Sequence, residues 1–220
     1  MRTVCWDLET SGRHRDCEIL SIGYCDQDTS GEAFALPTGP IDPGAIEIHG
    51  LTYAKLVNLG AGTLKEALQK FLDFLGEERV QLVAHNGKSF DSRKLSTALL
   101  QVGLDLPSGV CGFVDTLIWA RRVFKGQKNS LDALSSRFGV KIAREKHGAE
   151  LDSLILWQVH QGLSKHQMPE SAWETPPAWR SRCRPIHHFP SVIEGPSEEE
   201  PPPKLPRIVS PYFAEESLAA

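Results

Sequence analysis

Short runs of β-forming residues occupy the first part of the chain, and groups of apolar residues at helical spacing follow them. Three such runs lie at 3–7, 18–24 and 32–36, and a Thr-Ser-Gly turn follows the first. Their close succession predicts three antiparallel strands. A fourth run, 80–85 (VQLVAH), is mostly apolar and predicts a buried strand.

The helical pattern is clearest between the third and fourth runs. Thr63 and Glu66 have the spacing of a capping box, apolar residues then recur at helical intervals up to Leu75, and Gly76 ends the run. Strands that come first and are followed by helices predict an α/β fold with a central mixed β-sheet flanked by helices, not a doubly wound parallel sheet.

Two carboxylates follow the first predicted strand. Asp7 and Glu9 lie in WDLETSG. Side chains at i and i+2 of a strand point to the same face, so the two carboxylates point together if the extended geometry continues to Glu9. Such a pair can hold a divalent cation. A polar loop after a strand explains the same two residues without any chemistry.

A third carboxylate follows the fourth predicted strand. Asn86 and Gly87 turn the chain, and Asp91 opens a helical stretch, DSRKLSTALLQVG. If this strand is parallel to the first, Asp91 lies at the same edge of the sheet as Asp7. The alternative is an acid at a helix N-terminus that the helix dipole stabilises.

The segment KHGAELD holds the last pair. Apolar residues at helical spacing predict a helix over 149–161, so Asp152 lies in its first turns and His147 lies in the loop before it. A histidine so placed can deprotonate an attacking water, because its unperturbed pKa lies near neutrality.

Together these segments resemble the DEDDh exonucleases, the DnaQ-like family of 3′→5′ exonucleases. The resemblance covers about residues 2–162 and rests on DLET, HN…FD and the H-x-A-x-x-D of HGAELD, with EILSIG, IHGLT, FVDTL and NSLDALSSRFGV in support. The spacing and GFVDTL look most like the animal members near the TREX-type enzymes and the exonuclease-like domain of promyelocytic leukaemia (PML) protein relatives. The resemblance implies an RNase H-like fold.

The resemblance also implies roles for individual residues. Two Mg²⁺ or Mn²⁺ ions would clamp the phosphoryl group, with His147 as general base and with four metal-binding acids, Asp7, Glu9, Asp91 and Asp152. Thr10 and Ser11 are expected to contact the terminal nucleotide. Asn86 either orients the substrate or braces its loop, and bracing is the preferred interpretation.

Two further polar residues are interpreted as structural. Asp115 ends a predicted strand in GFVDTL, and we exclude it from the metal ligands because an N-cap for the following helix explains it. His49 in IHGLT is expected to fix a turn or to pack near the substrate channel.

Composition favours an intracellular protein, nuclear or cytoplasmic. Five cysteines without a C-x-x-C spacing argue against a disulfide framework, and neither a secretory leader nor a membrane span is predicted. The net charge is −4, but residues 121–146 hold eight basic residues against Asp132 and Glu145. Basic charge before the His147 loop would attract a phosphate backbone, although a solvated helix face explains about half of it.

The composition changes after about residue 164. Residues 1–164 are predicted to form the exonuclease domain, and residues 165–220, which are rich in proline, a largely flexible tail. We expect the tail tryptophans to dock partly on the domain, and the tail offers a site for a protein partner. Residues 180–188 contain a small basic cluster that is too short to predict a localisation signal.

Two functions from different classes are compatible with this sequence. The first is an active 3′→5′ exonuclease that cleaves nucleic acid at 3′ ends, with single-stranded DNA favoured over RNA by family resemblance. The alternative is a catalytically silent module that uses a nuclease fold to bind nucleic acid or protein. A phosphatase of the D-x-D type is disfavoured, because Glu9 stands where the second aspartate would be.

Overall fold

The computed structural model describes residues 1–142 and 145–182. Six strands form one sheet: β1 (Arg2–Thr10), β2 (Ile19–Cys25), β3 (Ser30–Phe34), β4 (Val80–Ala84), β5 (Val110–Asp115) and β6 (Trp173–Glu174). The helices are α1 (Pro43–His49), α2 (Tyr53–Asn58), α3 (Leu64–Leu75), α4 (Asp91–Val102), α5 (Thr116–Val123), α6 (Leu131–Phe138), α7 (Ala149–Leu163) and α8 (Pro176–Arg182), with a 3-10 turn at Glu170–Ala172.

The sheet is mixed, as predicted. Its strand order is β3-β2-β1-β4-β5-β6. β1, β2 and β3 pair antiparallel, β1 pairs parallel with β4 and β4 with β5, and β6 is antiparallel to β5. The parallel pairing of β1 and β4 brings their carboxyl ends, and the loops that follow, to one edge of the sheet.

Each face of the sheet carries its own helices and its own apolar core. Val4, Trp6 and Leu8 of β1 join the cluster that contains α3, α4 and Trp179 of α8. Cys5, which points the other way, joins the cluster formed with α5, α6 and α7. The alternation along β1 therefore assigns its odd-numbered residues to the face that α7 covers.

Local interactions in α3 confirm its predicted boundaries. The Thr63 hydroxyl accepts from the Glu66 N–H, and the Glu66 carboxylate accepts from the Thr63 N–H at 2.7 Å. These reciprocal bonds satisfy two of the amide groups that a helix start leaves open. Among the described residues, no helix has the length and apolar character needed to cross a membrane.

The folded part continues past residue 164, where the tail was expected to begin. Trp179 is 2% exposed and its ring stacks on Phe113 at 4.8 Å between centroids. Trp173 lies against Gly112, where an added Cβ would come within 2.1 Å of the indole ring. Docking of both tryptophans is thus confirmed, and residues 165–182 belong to the compact unit. The flexible, partner-binding tail was predicted for residues 165–220, and its part from residue 183 onward lies outside the described residues.

Candidate active site

The first pair of carboxylates lies on β1, which stays extended as far as Thr10. Asp7 is in register with Gly23 of β2 and Glu9 with Ser21, and the pairing shifts only after Glu9. The two side chains therefore share the face that α7 covers. Glu9 is 8% exposed, whereas Asp7 is half-buried.

The N-terminus of α7 brings His147 and Asp152 to this face. Asp152 is 3% exposed, and its carboxylate Oδ2 lies 3.0 Å from Nδ1 of His147. A neutral imidazole that donates from Nδ1 leaves Nε2 as its basic atom. The His147 side chain keeps 46% of its surface exposed, so this ring remains accessible to solvent.

Three of the five predicted residues meet within one small volume. One ligand atom from each of Glu9, His147 and Asp152 lies within 4.8 Å of the other two. Among the residues that the structure describes, neither Asp7 nor Asp91 belongs to this group. An arrangement of two carboxylates and an imidazole matches the ligand types that proteins offer to divalent metals.

Asp91 begins α4, as the sequence predicts, and the residue is only 7% exposed. Burial raises the pKa of Asp91 to about 7, and the charge of Asp115 contributes in the same direction. The N–H of Asp91 itself opposes this shift by hydrogen bonding. A buried carboxyl group with so high a pKa is fully ionised at neutral pH only when a cation lies beside it. The helix-start interpretation alone does not explain this burial.

Asp115 has the structural role expected of it. Its Oδ1 accepts from the N–H groups of Leu117 and Ile118 at 3.0 and 3.2 Å, which caps α5. The same carboxylate accepts from Asn86 N–H at 3.2 Å and Lys88 N–H at 3.0 Å. Asp115 thus fixes the loop that leads from β4 to Asp91, and the backbone of Asn86 takes part in that bracing.

His49 holds the end of β1. Its Nδ1 accepts from Leu51 N–H at 2.9 Å, so Nε2 carries the proton and donates to the Thr10 carbonyl oxygen at 3.2 Å. Burial lowers the pKa of His49, which keeps the ring neutral. The neighbouring Ile48 carbonyl accepts from His147 N–H at 3.1 Å. The turn-fixing role is confirmed, and the same segment also holds the His147 loop.

Sequence reasoning missed the close approach of α7 to β2. A Cβ added to Gly23 would lie 2.0 Å from the Ala149 carbonyl carbon and 2.1 Å from Glu150 N. The first turn of α7 therefore rests directly on the backbone of β2, beside Asp7. Ser30 of β3 also donates to the Glu150 carboxylate at 2.7 Å. A glycine inside a strand is the sequence feature that indicates such an approach.

The predicted substrate contacts of Thr10 and Ser11 remain predictions. Both residues are buried. The Thr10 hydroxyl donates to the Gly12 carbonyl at 2.7 Å, and the Ser11 hydroxyl accepts from Glu18 N–H at 2.9 Å. In this structure the two hydroxyls therefore shape the loop that follows β1.

The predicted basic segment divides into structural and exposed residues. Arg137 stacks on Phe124 at 4.3 Å and donates to Gln127, so its charge is used within the fold. Lys146, next to His147, is exposed and its stem lies against Gly50. Arg144 falls outside the described residues.

Only the first basic side chain of the small basic cluster at 180–188 is described. Arg180 pairs with Asp105 at 3.1 Å, and the other basic residues of the cluster lie outside the residues whose side chains are described.

Comparison with protein families and curated proteins gives a consistent result. The exonuclease family model RNase T matches residues 4–159. The DNA polymerase III subunit epsilon of Pasteurella multocida is 31% identical over 180 residues, which span 76% of this chain and 69% of that protein. The Escherichia coli protein of the same name is 30% identical over 181 residues, with 76% and 72% spanned. These relatives are bacterial, and the finer placement near animal TREX-type enzymes stays a prediction.

Solved structures with the same architecture confirm the RNase H-like fold. Exonuclease X in complex with 5′ overhanging duplex DNA superposes with a TM-score of 0.57 at 22% identity, covering 83% of this chain and 99% of that chain. Exonuclease I superposes with a TM-score of 0.64 at 14% identity, covering 76% of this chain and 41% of that chain.

Proposed function

Because this chain belongs to the DnaQ-like family of 3′→5′ exonucleases, hydrolases that act on nucleic acid, we propose that its substrate is single-stranded DNA. We further propose that two divalent ions, Mg²⁺ or Mn²⁺, are held by four carboxylates, with His147 as general base. The proposed ligands are Asp7, Glu9, Asp91 and Asp152.

The observation that carries the proposed metal site is the proximity of Glu9, His147 and Asp152, which each place one ligand atom within 4.8 Å of the other two. These residues come from β1, from the loop before α7 and from α7 itself, so only the folded chain brings them together. A shared structural role is a poor explanation, because nearby carboxylates repel one another unless a cation or a proton neutralises them.

The donor set fits a hard divalent metal. Glu9, Asp91 and Asp152 are all less than a tenth exposed, and burial of three carboxylates is costly without positive charge. Carboxylate oxygens are the ligands that Mg²⁺ and Mn²⁺ prefer. When bound, such ions supply charge stabilisation at the scissile phosphate and lower the pKa of the attacking water.

The side chain of His147 is arranged to take a proton. Its Nδ1 is held by Asp152, which leaves Nε2 as the ring atom that takes a proton from the attacking water. As the water oxygen forms its bond to phosphorus, Nε2 takes one of the water protons, the bond to the leaving 3′ oxygen breaks, and that oxygen takes a proton from solvent to become the new 3′ hydroxyl. A nucleoside 5′-monophosphate and a strand shorter by one nucleotide result.

The choice of DNA over RNA rests on the relatives. Two of them are named as subunits of a DNA polymerase, and one structural neighbour was solved with duplex DNA. A hydroxyl at the 2′ position is what distinguishes the two polymers at such a site. RNA therefore belongs in the same test as DNA.

The experiment follows 5′-labelled single-stranded DNA and RNA of one sequence with Mg²⁺, Mn²⁺ or EDTA. We expect a ladder that shortens DNA from the 3′ end and disappears in EDTA. Asp7→Ala and Asp152→Ala should abolish cleavage while the fold is kept, and His147→Ala should lower turnover ~10²- to 10⁴-fold, more than it weakens metal binding.

Asp73→Ala is the matched control, because Asp73 is an exposed acid on α3, which packs on the other face of the sheet. It should cleave like the unmodified protein. Cleavage that persists in a folded Asp7→Ala or Asp152→Ala variant would refute the assignment of these residues. Faster degradation of RNA than of DNA would overturn the substrate assignment but not the site.

A further inference from the structure

The loop that follows β1 is basic, and it adjoins the two elements that carry Glu9 and Asp91, because it continues β1 and contacts α4 through Lys94. It comprises residues 12–17 (GRHRDC) and begins three residues after Glu9. Its other side is held by Lys94, which lies three residues after Asp91 on α4 and hence on the same side of that helix. The loop therefore borders the candidate active site.

The backbone of this loop is held in place by several interactions. The Lys94 ammonium group donates to three carbonyl oxygens, those of His14 at 3.3 Å, Arg15 at 2.5 Å and Cys17 at 2.8 Å. At the base of the loop, Ser11 N–H donates to the Glu18 carbonyl at 2.8 Å. The positive charge of Lys94 is thus used to fix the loop.

The side chains of the loop differ in what they contact. The ring of His14 lies over Gly12, where an added Cβ would come within 2.9 Å of it. Arg13 and Arg15 are exposed, and Asp16 is the one acidic residue in the segment. A loop whose backbone is fixed presents these two guanidinium groups with less ordering cost on binding than a mobile loop would.

On the basis of the proposed nuclease function, we propose that Arg13 and Arg15 bind backbone phosphates of the substrate strand on the 5′ side of the scissile bond. The loop borders a site whose substrate is a polyanion, and a planar guanidinium donates two parallel hydrogen bonds to a phosphate. Such contacts carry no base readout, so they position any sequence equally. In this proposal the two arginines bind the strand beyond the terminal nucleotide and make no contact with the reacting phosphate.

The test compares the unmodified protein with Arg13→Ala/Arg15→Ala on two substrates. One is a single-stranded DNA 12-mer, and the other is the p-nitrophenyl ester of thymidine 5′-monophosphate, which has one reacting phosphate and no further backbone. Loss of two phosphate contacts should lower kcat/KM for the 12-mer on the order of 10-fold. It should also make the plot of log(kcat/KM) against log[salt] less steep by about 1.4, because each contact with a single strand contributes about 0.7 to that slope. Hydrolysis of the ester should change less than twofold.

Lys65→Ala/Lys70→Ala is the charge-matched control, because it removes two exposed cations from α3 on the other face of the sheet. It should leave both substrates and the salt slope unchanged. An unchanged 12-mer rate in the arginine variant, or an equal loss on both substrates, would overturn the proposal.

Binding of a fluorescent 12-mer in EDTA, followed by anisotropy, separates this proposal from the proposed function. If the unmodified protein cleaves neither substrate, the proposed function fails. Binding that is then weaker and less salt-dependent in the arginine variant still supports the phosphate-binding loop, and equal binding refutes it.

Discussion

Gly23 gives the most direct test of how the fold assembles the candidate site. The change Gly23→Ala adds a single methyl group to β2, on the face that α7 covers. It leaves every proposed ligand and His147 in the chain. Any loss of activity must therefore come from position, not from missing chemistry.

The size of the expected displacement follows from the contacts of the added Cβ. It would lie 2.0 Å from the Ala149 carbonyl carbon, whereas ordinary contact begins at 3.4 Å, so the first turn of α7 or β2 must move by about 1.4 Å. The neighbours are backbone atoms, which cannot rotate away. Overpacking of this kind costs about 1–3 kcal/mol of unfolding free energy. A misplacement near 1 Å at a reacting centre can cost ~10²-fold in rate.

The assay is hydrolysis of single-stranded DNA and of the nitrophenyl ester, together with urea unfolding. We expect turnover to fall ~10²-fold on both substrates while the protein remains folded. Gly44→Ala is the control, because a Cβ there meets nothing within 4 Å and its backbone is helical. A Gly23→Ala protein with unchanged turnover and stability would refute the inference that this contact positions Asp152 and His147.

Two further outcomes test the scaffold around the site. Burial lowers the pKa of His49 in the folded protein. Below about pH 6.5 the unfolded chain therefore binds a proton at this residue more readily than the folded protein does. The free energy of unfolding should fall as the pH is lowered through this range. When the free energy of unfolding is measured by urea titration at several pH values, the His49→Gln variant should lose less stability toward low pH than the unmodified protein. The same pH dependence in both proteins would contradict this prediction. Trp179→Ala should lower the free energy of unfolding by ~3–5 kcal/mol, because the residue is 2% exposed and its ring stacks on Phe113. A loss below about 1 kcal/mol in urea unfolding would mean that α8 adds little to the core.

The sequence was most informative where local rules decide the structure. The two-residue period of a strand predicted that Asp7 and Glu9 share one face of β1, and the capping box predicted the start of α3 at Leu64. The N-cap role of Asp115 also followed from its place between a strand and a helix. These features depend on residues within a few positions of one another, so the pattern contains the information needed.

Contacts between distant segments were not predictable in the same way. Lys94 and the carbonyls it holds are about eighty residues apart, and nothing in the helix pattern of α4 distinguishes this lysine from a solvated one. The contact of Gly23 with Ala149 likewise depends on the docking of α7. The end of the domain was also placed too early, because the short β6 and α8 have too few apolar residues to predict an element from periodicity.

The two-residue strand β6 covers part of an edge of the sheet. Without it, β5 would be the edge of the sheet, with the unpaired amide and carbonyl groups of an apolar strand open to another chain. β6 pairs with β5 at Phe113 and Val114, and the Trp173 ring covers Gly112 of the same strand. A fragment that ends at residue 164 would keep every proposed catalytic residue but would expose this edge of β5. We therefore expect such a fragment to aggregate even though its candidate active site is complete.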